Sequence, residues 1–92
     1  MNIQTQKIAV ISTSHIDAYE MHILLQLLNN DEVPGMLFDG GWIISTAPLN
    51  HVAEIAVPGL KHIVEFFSDK GFDWVMFNKN GSELDELPVY DW

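Results

Sequence analysis

Residues 16–28 run without a glycine or a proline, and they follow closely on a β-branched run, Lys7-Ile8-Ala9-Val10-Ile11. That succession reads as a buried strand turning into a helix, which commits the chain to a layered body of sheet and helix. Thr13 or Ser14 offers an N-cap hydroxyl, and Asp17 and Glu20 fall where the helix dipole favours negative charge. The apolar residues Ile16, Tyr19, Ile23, Leu24, Leu27 and Leu28 lie near helical spacing. Met21 and Leu25 widen that stripe, so the helix is expected to touch more than the sheet.

Asn29-Asn30-Asp31-Glu32-Val33-Pro34-Gly35 cannot prolong the helix, because Pro34 lacks an amide donor and the Asn-Asn-Asp cluster favours turns. Met36-Leu37-Phe38 and Trp42-Ile43-Ile44-Ser45 then flank Asp39-Gly40-Gly41, the pattern of two antiparallel strands joined by a tight hairpin. Residues 46–57 read as an irregular connection with a short helical turn. Pro58-Gly59 opens a second amphipathic helix with Leu60, Ile63, Val64 and Phe67 on one face, and Gly71 suits its C-terminal cap. Aromatic-rich residues 72–77 supply a last strand.

The resulting order, βαββαβ, predicts an α+β, ferredoxin-like sandwich with two helices on one face of an antiparallel sheet. A different open or three-layer arrangement would follow if the middle segment added a helix. Ninety-two residues close one hydrophobic core, so residues 1–92 are expected to form a single domain. The tail, residues 82–92, combines carboxylates with Leu84, Leu87, Tyr90 and Trp92, and is expected to fold back on the domain rather than dock on another chain.

Cysteine is absent, which excludes disulfides and thiolate metal sites. Thirteen acidic residues face four basic ones, all lysine (Lys7, Lys61, Lys70 and Lys79), for a formal charge of -9. A body of that charge repels phosphate backbones and anionic lipid, which argues against nucleic acid and membrane and for a basic protein partner. No run is long enough to span a bilayer and residues 1–6 lack a signal peptide's regions, so a cytoplasmic address is the default expectation. The apolar fraction, 48%, is high for so small a body and raises the expectation of a dimer or a partner-binding face.

The densest polar cluster is Ser12-Thr13-Ser14-His15, at the expected strand-to-helix junction. Such junctions present free amides to anions, so Ser12, Thr13, Ser14 and His15 are the candidate ligand-binding residues. The plainer reading is a helix cap, and it outweighs the first because the glycines of a phosphate loop are missing. Ser14, His15 and Asp39 are the weak catalytic candidates, with no Gly-x-Ser-x-Gly elbow behind them. For Asp39 the turn reading outweighs the catalytic one, since aspartate is common at hairpin turns for steric and local hydrogen-bonding reasons. His15 and His22 lie seven residues apart, but no paired-histidine motif accompanies them, and neither a metal nor a cofactor is expected. In the tail, Glu83, Asp85, Glu86, Tyr90 and Trp92 are the candidate partner-binding residues.

The Ser-Thr-Ser-His-Ile turn, the strand Gly41-Trp42-Ile43-Ile44-Ser45-Thr46 and the closing Leu87-Pro88-Val89-Tyr90-Asp91-Trp92 carry a resemblance. They resemble an uncharacterised family of small proteins and C-terminal domains of unknown function from enterobacterial plasmids and genomic islands. The resemblance implies a bacterial mobile-element setting and brings no activity, catalytic residue or cofactor. Members can be more basic than this chain, so its acidity is a departure that puts any shared partner in doubt.

Two principal readings follow. The first is a non-enzymatic protein-binding module, such as an acidic inhibitor of a basic or nucleic-acid-binding host protein. The alternative is a small enzyme or ligand binder with His15 as its acid-base group, which requires His15 to open into a pocket beside Asp39, Glu54 or His51. A homodimer through a spare sheet face is a third possibility.

Overall fold

A computed structural model describes residues 3–91. The elements run β1 (Ile8–Ser12), a 3-10 turn (Thr13–His15), α1 (Ala18–Asn29), β2 (Gly35–Phe38), β3 (Gly41–Ser45), α2 (His51–Ala56), α3 (Pro58–Asp69) and β4 (Trp74–Asn78). The fold is thus mixed α+β, with three helices on a four-stranded sheet. Among the described residues no helix is long and apolar enough to cross a membrane.

The strand order is β1-β4-β3-β2, with β1 parallel to β4 and the other neighbours antiparallel. This departs from the expected ferredoxin-like sheet, which is antiparallel throughout and holds its first strand inside. Here β4 takes an inner place and β1 an edge. Val75 and Phe77 are fully buried on one face of β4 while Trp74 and Met76 are half-covered on the other, as an inner strand requires. On β1, by contrast, Ile8 and Val10 remain nearly half exposed. Because β1 and β4 run the same way, the chain leaves β4 beside the end of β1, next to the Ser12–His15 turn.

Register aligns Ala9, Val75 and Ile44 in one row and Ile11, Phe77 and Trp42 in the next. Both rows face the helices and join Leu24, Leu27 and Leu28 of α1, Ala53 of α2, and Leu60, Ile63, Val64 and Phe67 of α3 in one core. The Trp42 ring stacks on Phe77 at 5.4 Å. The opposite face carries Ile8 and Trp74, then the row Val10, Met76, Ile43 and Met36, with no helix over it.

Two helix boundaries differ from expectation. Ile16 is extended (φ -125°, ψ 142°), so α1 starts only at Ala18, with Asp17 as its N-cap accepting from Glu20 N at 2.7 Å. The middle segment forms α2, because the Asn50 side chain accepts from Ala53 N at 2.8 Å and fixes a helix start. The two long helices end alike. Gly71 (φ 84°) closes α3 with Phe72 N donating to Phe67 O, and Asp31 (φ 57°) closes α1 with Glu32 N donating to Leu27 O.

A further cap joins the helices. The N-cap position of α3 is Val57, which has no side chain able to bond, and Glu20 of α1 supplies the missing acceptor. Its two carboxylate oxygens receive Gly59 N at 3.0 Å and Leu60 N at 3.1 Å. The arrangement satisfies two orphan amides and sets a negative charge at the positive end of α3.

Candidate functional site

The site begins where β1 runs out. Ser12 Oγ accepts from Ser14 N at 3.1 Å and closes the short turn, while the two serine hydroxyls lie 2.8 Å apart. Ser14 Oγ donates to Glu83 Oε2 at 2.9 Å. That assignment leaves Ser12 to donate its proton to Ser14, since each hydroxyl has one to give.

His15 is 1% exposed. Its Nδ1 lies 2.7 Å from the Pro88 carbonyl and its Nε2 accepts from Leu84 N at 2.9 Å. The carbonyl can only accept and the amide can only donate, so the partners fix the tautomer with the proton on Nδ1. Both ring nitrogens are occupied, and the ring sits inside the protein between the turn and the tail.

The tail lies against the same turn. After β4 the chain passes through Gly81, whose backbone packs on the Ile11–Ser12 peptide so closely that a Cβ there would collide with the Ile11 carbonyl. Five hydrogen bonds then link turn and tail: Ser12 N to Ser82 O, Ser14 Oγ to Glu83, Leu84 N to His15, His15 to Pro88 O, and Tyr90 N to Ser14 O. Leu87 is buried within this clasp at 5% exposure.

The structure therefore brings together the two groups of residues that sequence reasoning kept apart. Ser12, Ser14 and His15 face the tail, and Thr13 is half-buried with its carbonyl receiving Ile16 N at 3.4 Å. Of the tail candidates, Glu83 holds Ser14, Tyr90 is tied through its amide, and Asp85 and Glu86 are exposed. Trp92 lies outside the described residues. Asp39 is exposed at the β2–β3 turn, and in register β4 and β3 separate that hairpin from Ser12. Buried, with both ring nitrogens bonded to the tail, His15 does not present an acid-base group towards Asp39, Glu54 or His51. A cavity of about 550 Å³ is lined by Thr46, Leu49, Glu54, Lys61, Glu65 and Asp69 among others and contains none of the turn residues.

Among the described residues no group of three His, Asp or Glu side chains is placed to hold a metal ion. Sequence reasoning missed the Glu20 cap, although an acid near a helix start and a Pro-Gly opening elsewhere are both visible in the chain. No residue-type signal marks the partners of His15, because they are backbone groups.

Fold and site together define a small sheet-and-helix domain whose polar cluster at the Ser12–His15 turn fastens its own C-terminal tail. Residues 8–92 match the C-terminal domain of a family of unknown function (DUF5983), and the chain belongs to that family. No curated protein and no solved structure matches it.

Proposed function

We propose that this chain is a non-enzymatic protein-binding module of a bacterial mobile element, whose acidity selects a basic partner such as a nucleic-acid-binding host protein. The observation that carries the reading is the saturation of His15. A general acid-base group must reach a substrate proton, and both of its nitrogens are engaged by the tail. Charge and exposed apolar side chains are available for contact instead. The -9 charge is sharpened by the placement of two lysines over aromatic rings, Lys7 on Phe72 at 4.9 Å and Lys70 on Phe66 at 4.7 Å. Exposed carboxylates at Asp85, Glu86 and Asp91 project from the clasped tail and suit a basic surface. Binding of this kind gains on-rate and selectivity from electrostatics and weakens with salt.

The test is affinity capture from bacterial lysate over a salt series, followed by binding measurements with the purified captured protein. The expected result is one basic protein retained at low salt and released as ionic strength rises. Capture of none, or salt-independent capture of a neutral protein, overturns the reading.

A further inference from the structure

The two edges of the sheet are treated differently. At β1, Trp74 N bonds Lys7 O, and bonding directions alternate along a strand, so the Ser12 amide points to the outer side. There it meets Ser82 O, so the tail covers the Ser12 end of that edge, while the exposed Lys7 stands at the other end beside the outward groups of Ile8 and Val10. At β2, among the described residues, no comparable cover is present. Ser45 N donates to Pro34 O, and alternation makes Met36/Ile43 and Phe38/Gly41 the bonded pairs. The N–H and C=O groups of Gly35 and Leu37 therefore point outward, and among the described residues no protein group bonds them.

This edge is short and preceded by Pro34, but no charge or proline lies within the strand itself. Gly35-Met36-Leu37-Phe38 carries no charge, and Met36 and Leu37 are 63% and 46% exposed on opposite faces. Natural edge strands are ordinarily blunted by lysine, proline or a covering loop, because a bare one templates pairing with another chain. On the helix-free side, Met36 ends an apolar recess of about 330 Å³ formed with Ile8, Ile43 and Trp74.

The charges at the two ends of β2 say what can lie there. Asp31 and Glu32 precede it and Asp39 follows it, all exposed. A second copy paired through a two-fold axis would run antiparallel and set Asp31 and Glu32 against the partner's Asp39, with -9 on each body. Lys79 lies beside Gly40 on the inner side of the hairpin. Self-pairing is thus opposed, and a strand with basic ends is favoured.

Resting on the protein-binding reading, we propose that the β2 edge binds an extended segment of the partner protein by strand addition, the segment being apolar on alternate residues and flanked by lysine or arginine. Gly35 and Leu37 supply two donors and two acceptors, and the alternate apolar side chains extend the Val10–Met76–Ile43–Met36 row by one strand.

The test uses isotope-labelled protein and a peptide of alternating valine and threonine with lysines at both ends. Amide shifts and slowed hydrogen exchange are expected at Gly35 and Leu37. The same core flanked by glutamates should bind at least about tenfold more weakly at low salt, the gap closing as salt is raised. Leu37→Pro removes an outward amide at a place where edge strands tolerate proline, and should weaken the lysine-flanked peptide about tenfold. Should that variant fail to fold, N-methylation of alternate peptide amides on the bonding edge serves the same purpose. Shifts confined to another surface overturn the edge site and leave the module reading standing. Absence of any shift also overturns it, as does exchange protection at Gly35 and Leu37 in a peptide-free dimer. The module reading is decided separately by the salt-series capture.

Discussion

Removing the His15 ring should release the tail and cost much of the domain's stability. In His15→Ala the Leu84 amide loses its acceptor and the Pro88 carbonyl its donor, at 2.9 and 2.7 Å respectively. Each stranded buried group costs about 1–3 kcal/mol, and the vacated space adds to that unless the tail collapses into it. Pro88 is exposed enough for water to recover part of its bond, which brings the expected total to about 3–5 kcal/mol. A domain of this length holds about 5–14 kcal/mol in all.

The assay is urea unfolding with amide hydrogen exchange. Global destabilisation lowers the midpoint at constant slope, whereas a tail already detached in the native state lowers the slope as well. Exchange at Leu84 and Tyr90 should quicken at least about a hundredfold. His15→Asn separates the two bonds, since its amide nitrogen can stand in for Nδ1 toward Pro88 but cannot serve Leu84, and about half the loss is expected. A loss below about 1 kcal/mol in His15→Ala, with Leu84 and Tyr90 still protected, would refute the clasp.

Glu20→Ala should destabilise by about 1–2 kcal/mol in denaturant titration, because α3 has no other side-chain cap. Gly81→Ala should cost about 1–3 kcal/mol, its Cβ forcing the tail off the Ile11–Ser12 peptide, with exchange quickening at Ser12 and Tyr90. Among the described residues the buried Trp42 indole N–H has no partner, so Trp42→Phe should lie within about 1 kcal/mol of the parent while Trp42→Ala loses about 3–5 kcal/mol. Asp31→Gly should raise the thermal midpoint, relieving about 1 kcal/mol of left-handed strain at φ 57°.

Features written within a few neighbouring residues were legible in the chain. Gly71 reads as a helix stop because only a left-handed residue closes that turn, and the structure gives it φ 84°. Asp31 does the same at φ 57° and was less visible, since aspartate seldom takes the role. Asp17 reads as a first-turn charge, whereas it is the cap. Three hydroxyl-bearing residues upstream drew the helix start towards themselves, and only the extended backbone at Ile16 sets them apart. Strand order was out of reach for another reason. The pairing of Ile8 with Trp74 joins distant parts of the chain, and an apolar alternation says which face is buried but not which strand lies alongside.

The candidate site failed to read as a unit because half of it is backbone. Ser12, Ser14 and His15 were conspicuous by residue type, and the tail was conspicuous by its mixture of acid and aromatic side chains. The turn reads as a helix cap and the tail as folded back on the domain, but nothing in residue type pairs the two, and each is largely what the other binds, through groups at Leu84, Pro88 and Tyr90 that any residue could have supplied. The same logic explains why the β2 edge went unseen. Its outward donors and acceptors belong to Gly35 and Leu37, and a free sheet edge leaves no mark in residue identity. What does mark it is an absence of charge within the strand and a bracket of acids around it, a pattern that acquires meaning only once register shows which side of the strand is bare.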